Sequence, residues 1–360
     1  MNRGFSLWLD VLRVLATVVV VLSHWAYPRF TQGDFIVIRE WNLGSDAVII
    51  FFVISGLVIA YAAGRDNDGC TFTFNRLTRL WSVLIPALVL TFAFDRLGVG
   101  VSPDAYPAQF YHPQAFVDFM VRGISFSNEF RLFDRMRLGT NGPLWSISYE
   151  AAYYALFAAA YFLRGIRMYV VLAALIALVG VPILLLMPSW LLGVFVWHAV
   201  RRGRFVPQSA GIALAMAIGA PLIYALSIAL GLPPALESLT AEAFGVARAS
   251  RMLGFSDEFI WNAIIGILTT IHLLGMARLV QSRTADIAWI RWAAGASFSV
   301  YVTHYPTLHL LDAILPEPMV GRYPLLLIGA FAVGLIFAAI FERNLKPLRA
   351  ALLRMRRQPA

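Results

Sequence analysis

The chain has 360 residues, 60% of them hydrophobic and only 14% charged, with a formal net charge of +9. A soluble domain is usually about 25% charged, so a water-soluble core is excluded, and the recurring long apolar runs point to a polytopic membrane protein. The positive excess then reads as membrane sidedness and contact with anionic lipid headgroups rather than nucleic-acid binding, while the single cysteine, Cys70, excludes an internal disulfide and a thiolate cluster.

The first apolar segment runs from Leu7 to Ala26. It is too long for the apolar region of a signal peptide and lacks a small-residue cleavage site after it, so it is expected to stay as the first span. It carries Arg13 and His24, eleven residues apart. At about 100° per residue they fall within roughly 20° of one another, about 16 Å apart along the axis. Asp10 lies on nearly the same face, one turn before Arg13. A central arginine costs about 3 kcal/mol to insert, so this stripe is expected to face a polar cavity in the bundle. Neutral histidine suits a general base. A buried arginine suits an oxyanion, a phosphate or a partner carboxylate. Read singly, His24 is also compatible with an interfacial residue and Arg13 with an orientation anchor.

There are ten apolar segments in all, at about residues 7–27, 44–63, 80–97, 143–163, 168–187, 189–200, 209–231, 259–279, 292–313 and 323–342. Each is expected to be helical, because within lipid a segment must satisfy its own backbone. The sixth is short for a span and is expected to be tilted, broken or shielded. The expected fold class is therefore all-α, a membrane helical bundle of about ten spans, with residues 1–360 expected to form one domain without a soluble appendage. With the N-terminus in the cytoplasm, most arginines and lysines fall on the cytoplasmic side and most acids outside. Both termini are then cytoplasmic, as an even number of spans requires.

Several positions carry candidate chemistry. Asp46 enters the second span from the outer side and can fix the tautomer of a nearby histidine such as His24. Ser55-Gly56 in the same span reads as a close-packing pair. Arg76 and Arg79, three residues apart on one helix face, can clamp a phosphorylated ligand; on charge alone, ordinary cytoplasmic flanking is the favoured reading. Two long outer loops, about 98–142 and 232–258, suit lids or binding surfaces. The first holds Tyr106, Phe110, Tyr111, His112, Phe126 and Phe130, which suit a sugar or a headgroup, or simply anchor at the interface. Glu150 opens the fourth span from the outer side, where it must be paired or solvated. His272, His304 and His309 each read as hydrogen-bonded structural histidines. HExxH, P-loop and GxSxG patterns are missing, so no metal is expected.

The motifs, in this order, resemble those of the acyltransferase-3 family of integral membrane O-acyltransferases. They are the arginine and histidine of the first span (Arg13, His24), FFVxSG (Phe51 to Gly56), RxxR (Arg76, Arg79), LWSxSxE (Leu144 to Glu150), a variant of SYxxYxxH (Ser297 to His304, with Phe298 in place of tyrosine) and a terminal E-R-x(3)-P-like segment (Glu342 to Pro347). The resemblance spans about residues 5–348. It implies transfer of an acyl group, commonly acetyl from acetyl-CoA as a donor substrate rather than a resident cofactor, to a carbohydrate hydroxyl. His24 would be the base, Asp46 or Glu150 its orienter, Arg13 a stabiliser of charge, and Arg76 and Arg79 the donor clamp. His304, Tyr301 and Trp145 are further candidates. The implied location is the bacterial inner membrane. Acyl transfer to a lipid, peptide or small molecule is an alternative, and before the motifs are weighed a transporter or flippase fits as well.

Overall fold

The computed structural model describes residues 1–66, 68–245, 252–283 and 286–343. Among them there is no strand, and ten helices reach 15 residues or more. These are α1 Arg3–Trp25, α2 Leu43–Ala63, α3 Gly69–Val101, α4 Trp145–Phe162, α5 Gly165–Val179, α6 Val181–Arg202, α7 Ala210–Ala229, α8 Phe259–Leu279, α9 Ser297–Ile314 and α10 Arg322–Phe337, which widens into a π turn at Ala338–Glu342. Seven helices are long and apolar enough to cross a membrane: α1, α2, α3, α6, α7, α8 and α10 with its π turn. The chain is a multi-pass membrane protein. The other three, α4, α5 and α9, fall short of that test. α5 is only 15 residues long, whereas α4 and α9 carry serines, tyrosines, a glutamate and histidines within their 18 residues.

Two boundaries differ from the pattern of apolar runs. The expected break at Pro188 is absent, and α6 continues through that proline for 22 residues. The chain breaks instead at Gly180, whose φ of 84° lies in the left-handed region, with Pro182 in the first turn of α6 where its missing N–H costs nothing. The sixth segment is thus the longer of the pair and the fifth the shorter. The third helix also starts early: Asp68 caps it by accepting from the Thr71 amide at 2.9 Å. Arg76 and Arg79 consequently lie inside α3 rather than ahead of a span.

The bundle is layered around α1, α2 and α9. α2 packs on α1 and α6, α6 on α8, and α8 on α7, while α9 packs on α1, α3 and α10. At the α2–α6 crossing, backbones touch. A Cβ on Gly193 would lie 1.9 Å from the Val53 carbonyl oxygen, and one on Gly56 would lie 2.0 Å from that of Trp190. The connections alternate between two faces. One face gathers the segments after α1, α3, α7 and α9, tied by Asn42 to Glu258 (2.7 Å) and Gln32 to Glu317 (3.2 Å). The other gathers the N-terminus with Arg201, Gln208 and Arg278.

Candidate active site: two cavities that share a wall

The first cavity, about 100 Å³, opens between α1, α2, α3, α4 and α9. Arg13, Arg76 and Arg79 line it together with Ser55, Glu150, Tyr154 and Tyr301. Arg13 stands 3.8 Å from Asp10, but Asp10 is engaged more closely by Arg291 at 2.7 Å. The Arg76 Nε–H is buried and has no partner among the described residues, an orphan donor that an anionic ligand would satisfy. Arg79 is exposed at the mouth. Glu150 faces this cavity, where its Oε1 accepts from Ser55 Oγ (2.6 Å) and Tyr154 (2.5 Å). Outside the cavity lining, Ser299 donates to Glu342 through its amide (3.0 Å) and hydroxyl (2.7 Å), pinning α9 to the end of α10.

The second cavity, about 710 Å³, opens toward the opposite face and is lined by His24, Arg39, Trp145, Glu258 and Trp261 among others. The hydrogen bonds of His24 define its tautomer. His304 Nδ1 lies 2.7 Å from the Tyr301 carbonyl, which can only accept, so that nitrogen carries a proton and Nε2 is the acceptor. His304 Nε2 is 3.1 Å from His24 Nδ1, which also faces the Val20 carbonyl at 3.0 Å. His24 Nδ1 is therefore the donor, and its Nε2 carries the lone pair. His304 is fully buried. Tyr301 donates to the Pro143 carbonyl at 3.0 Å and lies 2.7 Å from Ser146 Oγ. Trp145 stacks on Phe255, centroids 4.8 Å apart. Arg39 donates to Ser23 Oγ (2.9 Å) and lies over Tyr27 (4.1 Å). At the rim, burial pushes the Glu258 carboxyl up to about 7, against the opposing hydrogen bond from Asn42.

A family model described as an acyltransferase domain matches residues 6–343. The chain belongs to the acyltransferase-3 family. It is 28% identical over 142 residues to an O-acetyl transferase of Shigella phage Sf6, covering 39% of this chain and 41% of that one. It is 33% identical over 150 residues to the acyltransferase MdmB of Streptomyces mycarofaciens, covering 41% and 36%. The matched part is thus less than half the length of either relative. No solved structure matches.

Within this acyltransferase-3 chain the motif residues divide between the two cavities. Arg13, Arg76, Arg79 and Glu150 gather at the first and His24 and Trp145 at the second, while Tyr301 lines both. Two expected pairings do not form. Asp46 accepts from Tyr224 (2.7 Å) and Trp261 (3.0 Å), so it ties α2 to α7 and α8 rather than orienting His24. Glu150 sits by the arginines, not on the His24 side where alternation of spans had placed it. The side-chain partner of the His24 ring is His304, a residue that read as structural when taken alone. Of the terminal motif, Glu342 and Arg343 are described, and Pro347 lies outside the described residues.

The two long loops contribute unequally. Three aromatic residues of the first pack inward: Tyr106 and Phe110 flank His309, and Phe126 stacks on Trp81. Its contribution to the second cavity is Arg135, held by Glu129 at 2.9 Å. The second loop supplies Glu237, Phe255, Asp257 and Glu258. The sequence reading missed Arg39, Arg135 and Glu258 as site residues. Their signal was an arginine or acid close to a span boundary, which positive-inside flanking and solvation explain just as well.

Proposed function

We propose that the chain is a membrane O-acyltransferase that transfers acetyl from acetyl-CoA to a carbohydrate hydroxyl, with its N-terminal face toward the cytoplasm of a bacterial cell. The observation that carries the reading is the pair of cavities separated by a shared wall, one lined by three arginines and the other holding a histidine with an open Nε2. The name of the phage relative supports acetyl as the group transferred. The arginine cavity suits a phosphorylated, anionic donor. At about 100 Å³ it admits the acyl end of a pantetheine arm while the nucleotide stays at the mouth beside Arg79. The larger second cavity, with its stacked Trp145–Phe255 wall and mixed charged rim, suits a hydroxyl-rich ring.

Arg13 and His24 are about 16 Å apart along one helix, too far to touch one carbonyl. Arg13 therefore belongs with the donor and His24 with the reacting hydroxyl. His24 Nε2 accepts the hydroxyl proton as the oxygen attacks the thioester carbonyl carbon. The tetrahedral intermediate collapses with cleavage of the C–S bond, and the departing thiolate takes the proton from the imidazolium, giving the ester and free CoA. His304 keeps the His24 proton on Nδ1, so that Nε2 remains the base.

The test is mass spectrometry of surface glycans, with acetyl-CoA binding measured on the same membranes. For His24→Ala, acetylation is expected to fall by about 100-fold or more while donor binding persists. Near wild-type acetylation in a normally folded variant would overturn the assignment.

A further inference from the structure

We infer that Val48 and Tyr301 form the constriction that decides which acyl chains reach His24, and that it passes a two-carbon acyl group while holding back longer ones. This rests on the acyltransferase reading above. Among the described residues, Val48 and Tyr301 are the only side chains that line both cavities, so an acyl group moving from the arginine side to His24 goes between them. Neither yields easily. The Tyr301 hydroxyl is bound to the Pro143 carbonyl and lies beside Ser146 Oγ, and its ring is braced edge-on by Phe51 at 6.1 Å. Val48 is 5% exposed, and a β-branched side chain in a helix keeps one χ1 rotamer. One turn on, Phe52 is locked edge-on against Trp145 and Tyr153, so α2 has no slack behind Val48. The chamber before the constriction is itself only about 100 Å³.

A rigid apolar wall discriminates by about 10-fold or more per methylene. Removing two methyl groups from Val48 therefore makes room for chain extension, and adding one takes room away. The experiment uses inside-out membrane vesicles carrying the full-length protein, given acetyl-, propionyl- or butyryl-CoA, with the acyl groups on vesicle glycans read by mass spectrometry. Val48→Ala is expected to raise the butyryl-to-acetyl ratio by about 10-fold, and Val48→Ile to lower the propionyl-to-acetyl ratio by a similar factor. If both variants transfer acetyl with an unchanged chain-length profile, the constriction is refuted and the function stands. If the wild type transfers none of the three, the function itself is refuted. Should Val48→Ala fail to fold, Val48→Ile decides the matter alone.

Discussion

At the scale of single residues, the histidine pair is the central feature. A lone imidazole leaves the choice of protonated nitrogen open, and a carbonyl on α9 settles it through His304. That chain predicts a specific rescue. His304→Gln retains an acceptor for His24 Nδ1–H, whereas His304→Leu does not. Turnover is expected to be about 10-fold higher in the glutamine variant than in the leucine variant, with the same KM for acetyl-CoA. Equal losses in both would make His304 merely a packing residue. Glu258 gives a second prediction at this scale. Burial raises its carboxyl to about 7, with Asp46, Asp257 and Glu237 adding to the rise and Asn42 opposing it. The folded state thus prefers the protonated acid. Its contribution to stability is present below the unfolded pKa and lost as pH rises through about 7. The melting temperature of detergent-solubilised protein is expected to drop across that range, and Glu258→Gln should flatten the drop.

Among helices, close backbone contact decides more than hydrophobicity does. Gly193 and Gly56 let α2 and α6 touch, which fixes the line of Ser55, Val48 and the arginine cavity wall. Gly193→Ala would drive a methyl into the Val53 carbonyl and is expected to cost about 2 kcal/mol or more. The check is thermal unfolding beside Gly219→Ala, whose added methyl meets nothing within 4 Å and should leave stability unchanged or slightly raised. The same scale shows why apolar runs misjudged one boundary. Proline inside an apolar run looks like a stop, yet α6 passes through Pro188 and breaks at Gly180, where the required φ suits glycine. A helix in a packed bundle tolerates one lost N–H bond when its neighbours hold it.

Over the whole molecule, the alternation of connections between two faces makes sidedness testable with few changes. Cys70 is the sole cysteine and is exposed, near the N-terminal end of α3. Val320, between α9 and α10, is fully exposed on the opposite face. A membrane-impermeant maleimide applied to intact cells is expected to spare Cys70 and to label Val320→Cys in a Cys70→Ser background. The reverse pattern would invert the orientation that the arginines indicate.

The all-α membrane class was legible in the chain alone, because apolar runs long enough for lipid must close their own hydrogen bonds. So were the family, through the order of its motifs, and the shared face of Arg13 and His24, because helical periodicity is local. Tertiary structure alone decided the partners. It gave Asp46 to Tyr224 and Trp261, Glu150 to the arginine cavity, and His24 to His304, a residue 280 positions away. It also made Tyr301 and Val48 the wall between the two cavities. Spacing along one helix reports which way a side chain points; what it meets there depends on helices distant in the chain.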